Sequence, residues 1–142
     1  MPKILSQKYF NKPTLKLAKE LLGKFLVRRV GDTQIEGMIT EVEAYVGPED
    51  KASHASKGKT KRTEVVFGKA GYWYVYMIYG MYYCLNFVTR TEEHPEAILI
   101  RALEIPHADH KIKMFQKGLA TNGPGKLCRH FGITKKEDGL KL

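Results

Sequence analysis

GYWYVYMIYGMYYCLNFV, residues 71–88, sets seven aromatic side chains into the twelve positions from 72 to 83 and carries one internal glycine, Gly80, directly after Tyr79. Side chains two apart share a strand face. Tyr72, Tyr74, Tyr76 and Ile78 therefore fall on one side and Trp73, Val75, Met77 and Tyr79 on the other, with Tyr79-Gly80 marking the reversal between two strands. Tyrosine suits a pleated sheet, so packing accounts for most of the run. It does not account for Tyr79, because the tip of a hairpin has no core to bury it. An aromatic wedge at a turn is a device by which proteins push between DNA base steps and fill the space a displaced base leaves.

Outward from this hairpin, NKPTLKLAKELLG (11–23) reads as a helix with Leu15, Ala18, Leu21 and Leu22 on one face, Asn11 or Thr14 capping its start and Gly23 ending it. KFLVRRV (24–30) and IEGMITEVEAYVG (35–47) read as strands joined through Gly31-Asp32. EAILIRALEI (96–105) is a further, largely buried strand, residues 106–121 form a helix or loop, and NGPGKLCRHFGI (122–133) is a glycine-rich turn opening a short helix. The class that follows is α+β: a single domain over residues 1–142, with a mainly antiparallel twisted sheet, flanking helices and a protruding β-hairpin.

A chain of 142 residues can bury about two thirds of its unfolded surface, enough for one core without staples. Hydrophobic and charged fractions of 43% and 27% are ordinary globular values and exclude disordered and fibrous classes. No apolar run approaches the roughly 18 residues of a membrane span, and MPKILSQKYF is too poor in apolar residues for a signal peptide. Two distant cysteines, Cys84 and Cys128, and five scattered histidines make neither a redox pair nor a zinc cluster. The expectation is a cytoplasmic, metal-free monomer with no membrane partner, nucleoid-associated if bacterial. The net charge of +9 favours a polyanionic partner. Residues 51–69 concentrate it, with six Lys/Arg against one Glu, as a phosphate-contacting loop or a merely solvated one.

Alternation places Glu41, Glu43 and Tyr45 on one face of their strand and Thr40, Val42, Ala44 and Val46 on the core face. A carboxylate between an aliphatic strand and an aromatic neighbour is a candidate general base, since partial desolvation raises its pKa toward working pH. The alternative is that both are ordinary surface acids of a basic protein. NGPGKLC lacks the Walker pattern, with Ala120 and Leu127 at the required Gly and Ser/Thr positions, which excludes a nucleoside triphosphatase of that kind. Amides at a helix start together with Lys126 could hold a DNA phosphate, and a plain turn fits equally well.

Taken in order, EVEAYVGPEDKASHA (41–55), YVYMIYGMYYCLNFV (74–88), LIRALE (99–104) and NGPGKLC (122–128) resemble the 3-methyladenine (alkyladenine) DNA glycosylases, from about the first helix to residue 133. The resemblance implies a monofunctional base-excision repair enzyme. It would flip an alkylated or deaminated purine from double-stranded DNA and hydrolyse the N-glycosidic bond, leaving an abasic site. Glu43 resembles the base that activates the attacking water. Tyr45, His54 and Tyr76 look like walls of the base pocket, and Asn86 like the side chain opposed to the guanine 2-amino group. Tyr79 resembles the intercalating wedge, with Met77 beside it, and Arg101 a phosphate or pocket contact. No cofactor is implied. Family members continue beyond NGPGKLC through strands with an Arg-Ile-Gly motif, so the chain is expected to be truncated at its C-terminus. A non-catalytic DNA-binding relative that lost turnover through truncation is the competing reading, and a purely structural β-protein a third.

Overall fold

A computed structural model describes residues 3–47, 49–50, 56, 58–90, 94–105 and 121–142. His54, most of the basic 51–57 stretch and the 106–120 segment lie outside the described residues. Five strands are present: β1 (Phe25–Val30), β2 (Thr33–Tyr45), β3 (Trp73–Ile78), β4 (Tyr82–Thr89) and β5 (Glu96–Glu104). They form one curled sheet in the order β1-β2-β5-β4-β3, every neighbouring pair antiparallel. The two hairpins are thus those expected from the turns at Gly31-Asp32 and Tyr79-Gly80. The last strand in sequence lies between them.

Helices α1 (Thr14–Leu21) and α2 (Pro124–Phe131) cover one face of the sheet. Leu17, Ala18 and Leu21 of α1 and Leu127, Cys128 and Phe131 of α2 join Ile39, Val75, Leu85, Phe87, Ile98 and Ile100 in the main core. On the other face a smaller cluster forms where the 3₁₀ turn Glu64–Phe67 buries Val66 against Tyr74, Val88 and Ala97. The rest of that face carries the polar residues considered below.

The buried stripe of α1 differs from the expected one. Leu15 is 62% exposed and Leu22 47%, whereas Thr14, Leu17, Ala18 and Leu21 face inward. The helix begins behind Pro13, which supplies no side-chain cap, and a 3.6-residue period from Thr14 selects this set. Thr14 does not cap the helix either. Its hydroxyl donates to Glu96 Oε1 at 2.7 Å and shares a 2.7 Å bond with Thr89 Oγ1, inside a buried cluster closed by Arg90, whose Nη1 donates to Glu96 Oε2 at 2.9 Å. Gly23 does end the helix as expected, turning the chain at φ +84°.

Residues 138–142 run along the outer edge of β3. Trp73 N–H donates to Leu140 O (2.8 Å), Gly139 N–H to Trp73 O (2.8 Å) and Leu142 N–H to Gly71 O (2.9 Å). Asp138 Oδ1 accepts from Val75 N–H at 2.8 Å, so a carboxylate takes the place of a strand partner. Burial pushes the Asp138 carboxyl above its usual range, opposed by the Val75 N–H and by Lys135. A folded-state pKa above the unfolded one means that the fold favours the protonated acid. The stability so contributed is complete below the ordinary aspartate range and lost as pH rises through the folded value. Asp138→Asn keeps an acceptor for Val75 and stays neutral, so it should gain stability relative to wild type across that weakly acidic window. Urea unfolding over a pH series checks this, and superimposable pH profiles would refute it.

Candidate active site

The open face of the sheet aligns one residue from each of four strands. Tyr74 on β3 lies opposite Asn86 on β4, Asn86 opposite Leu99 on β5, and Leu99 opposite Glu43 on β2. One step along the strands are Tyr76, opposite Cys84; one step the other way is Tyr45, opposite Ala97. Residues two apart keep to one face, so these side chains converge although they span the sequence from 43 to 99. Val42 and Ala44 turn to the core as alternation requires, but Thr40 and Val46, expected beside them, are exposed, and Ile39 takes the core position where the β2–β5 pairing shifts. Glu41 is exposed, beside an irregularity where the β2–β5 pairing shifts between Ile39 and Val42.

Arg101 has no Cα partner within that irregularity, and its guanidinium reaches along the face to Glu43, Nη1 to Oε2 at 2.8 Å. The pair is solvent-accessible, with the arginine and glutamate side chains 45% and 41% exposed. An ion pair in that setting contributes only about 0–1 kcal/mol to folding. Its structural effect is to fix the direction of the carboxylate. Tyr45 lies beside it, and burial, followed by the charge and acceptor oxygen of Glu43, pushes its phenol up to about 12. The phenol is therefore a neutral hydrogen-bond donor at working pH. Burial likewise pushes Tyr74 up to about 12 and raises Tyr76 further. It also raises the Cys84 thiol, which hydrogen-bonds with Tyr76, so that group is a poor nucleophile.

Asn86 is 1% exposed, and its Nδ2 donates to Tyr74 O at 3.2 Å and Cys84 O at 3.4 Å. The side chain thus ties β3 to β4 whatever else it does. Asn86→Ser cannot reach both carbonyls and should lower stability by about 1–2 kcal/mol in denaturant unfolding, the range for buried groups left unpaired. If the amide also rejects the guanine 2-amino group, the same substitution raises excision of guanine relative to hypoxanthine in otherwise identical duplexes; an unchanged ratio would leave strand-tying as its sole role.

At the end of the β3–β4 hairpin, Met81 N–H donates to Ile78 O at 3.1 Å, closing a turn in which Tyr79 (φ +52°) and Gly80 (φ +66°) are both left-handed. Positive φ at both central residues is what the hairpin turns matching strand twist require. Glycine meets this freely, whereas a tyrosine held there costs about 1–2 kcal/mol. Tyr79 is 88% exposed, flanked by Met81 at 62% and Met77 at 39%. Exposure thus gathers three large apolar side chains at one tip. Lys126 is also exposed, near the start of α2, with Nζ 3.3 Å from Asn122 Oδ1. The nearby Gly125 has a packing reason: a Cβ there would meet Tyr82 Cδ1 at 2.8 Å.

The model of the methylpurine-DNA glycosylase family matches residues 8–142. A Bdellovibrio bacteriovorus protein is 51% identical over 140 residues, covering 98% of this chain and 72% of its own length. One from Bacillus cereus is 48% identical over 146 residues, with 94% and 71% covered. Both carry names that give them, provisionally, as 3-methyladenine DNA glycosylases. The chain belongs to the methylpurine-DNA glycosylase family.

In this member of the methylpurine-DNA glycosylase family, the structure brings Glu43, Tyr45, Tyr76, Asn86 and Arg101 onto one face, and puts Tyr79 and Met77 at the hairpin end of the same sheet. Tyr74, grouped with Tyr76 by alternation but counted only as packing, shares that face, and so does Cys84, which was weighed only as a redox or zinc ligand. Sequence reasoning also passed over Met81, for which the signal was its place directly after the turn glycine. Among the described residues no group of three or more His, Cys, Asp or Glu could hold a metal ion. No described helix is long and apolar enough to cross a membrane.

Proposed function

We propose that the protein excises alkylated or deaminated purines from duplex DNA by hydrolysing the N-glycosidic bond, leaving the sugar-phosphate backbone intact. The observation that carries this is the Glu43–Arg101 pair, open to solvent at one end of a face otherwise walled by tyrosines and a buried amide, in a chain of this family. Glu43 accepts a proton from a water molecule, whose oxygen bonds to the sugar C1′. The C1′–base bond breaks with its electron pair going to the purine. Alkylation at N3 or N7 places positive charge on that purine, so it leaves as a neutral molecule and needs little acid catalysis. Arg101 Nη1 holds Oε2 of the carboxylate, with the Tyr45 phenol beside it.

The damaged base stands in this reading among Tyr45, Tyr76 and His54, where electron-rich rings attract a cation by roughly 0.5–2 kcal/mol per contact. Tyr79 fills the gap in the stack, with Met77 and Met81 in the groove beside it, while Lys126 and the basic loop contact phosphates. A damaged or mispaired base is cheaper to unstack, which adds selectivity. Duplexes carrying one hypoxanthine, ethenoadenine or 7-methylguanine test the proposal. The expected result is strand scission at the lesion only after alkali. Tight binding with no abasic site from any of the three would identify a DNA-binding relative without turnover.

A further inference from the structure

Tyr76 carries a cation over its ring. The Arg62 guanidinium lies 5.4 Å from the ring centroid, and Arg62 Nη2 donates to Met77 O at 2.8 Å, which fixes it at the edge of β3. The backbone around Arg62 is anchored on both sides. Across it, Thr60 N–H donates to Thr63 Oγ1 at 2.8 Å and Thr63 N–H returns to Thr60 Oγ1 at 3.3 Å, with Thr63 only 3% exposed. After it, the Glu64–Phe67 turn buries Val66 among Tyr74, Val88 and Ala97. Arg62 is itself exposed, but its place over the ring is set from three directions.

A tyrosine ring attracts a cation through the negative potential of its face. A ring already holding one cation offers less to a second, because the first draws on the same π density and repels the newcomer directly. We propose that Arg62 is a specificity-determining positioning residue: its permanent charge against Tyr76 weakens the pocket's preference for positively charged alkylated purines, so that neutral damaged purines compete on nearer terms. The proposal rests on the glycosylase reading above and on Tyr76 lining the base site. Arginine suits the task, since its guanidinium stays charged at any working pH and stacks on aromatic faces.

The test compares single-turnover excision of 7-methylguanine at mildly acidic pH, where the base keeps its positive charge, with excision of neutral hypoxanthine in the same duplex context. Arg62→Gln should raise the ratio of charged to neutral lesion by about two- to fivefold, the size of one exposed cation–ring contact. Arg62→Lys, which retains the charge, should stay near the wild-type ratio. If Arg62→Gln fails to fold, Arg62→Met, which keeps the unbranched stem, gives the same comparison. A clamp with no electrostatic role would slow both lesions alike, and an unchanged ratio with an active wild type overturns this proposal while leaving the glycosylase reading intact. A wild-type protein that excises neither base overturns both.

Discussion

Replacing Glu43 by glutamine should leave binding to lesion DNA in place and reduce base excision by about a hundredfold or more. The amide keeps the size of the carboxylate and can still accept a hydrogen bond from Arg101, but it cannot take the proton of the attacking water. Tyr45 and Arg101 remain where they are, so the pocket should keep its shape. Glu41→Gln is the control: that side chain is exposed, and the Arg101 bond goes to Glu43 instead. Single-turnover excision and equilibrium binding on the same duplex separate the two effects. Equal losses in the two variants would show that the carboxylates have been assigned the wrong way round.

Tyr79→Asn should weaken binding to lesion DNA by about tenfold or more, because stacking of one aromatic side chain on bases is worth about 1–3 kcal/mol. The fold should not suffer. Asparagine followed by glycine is the favoured sequence for a two-residue turn with both residues left-handed, so the variant should be as stable as wild type or up to about 1 kcal/mol more stable. Affinity and stability are expected to move in opposite directions. Strain held by the surrounding structure at an exposed residue is the pattern of functional sites, where it persists because something other than folding selects it. A variant that melts well below wild type but binds DNA normally would mean that Tyr79 serves the fold.

The strands were legible because alternation is a local property: Val75, Val42 and Ala44 face the core as their spacing requires, and Tyr79-Gly80 reverses the chain. The face of α1 was not. Leu15, Ala18, Leu21 and Leu22 are as good an apolar set as Leu17, Ala18 and Leu21, and the choice between them depends on where Pro13 starts the helix and on Thr14 having polar partners 75 and 82 residues away. The partner of Arg101 was hidden for a similar reason, since its bond to Glu43 requires the β2–β5 register and its irregularity. Gly125 was legible only as part of a glycine-rich turn; the room it leaves for Tyr82 is a contact that no local spacing encodes.

Strand order carries a consequence for synthesis. The β1–β2 and β3–β4 hairpins are each made of neighbouring sequence and can close early, while β5, made after all four, lies between them. Domains take shape as the chain leaves the ribosome, and pairings between distant segments come late. A nascent chain that has not yet produced residues 96–104 already owns Tyr79 and its turn, but has no strand to bring Glu43 alongside Asn86. Insertion of β5 sets Leu99 between them and delivers Arg101 to the carboxylate in one event. Under the proposed function, the chain would carry the hairpin assigned to DNA probing before the residues assigned to hydrolysis came together, and those would assemble with the strand that also completes the sheet.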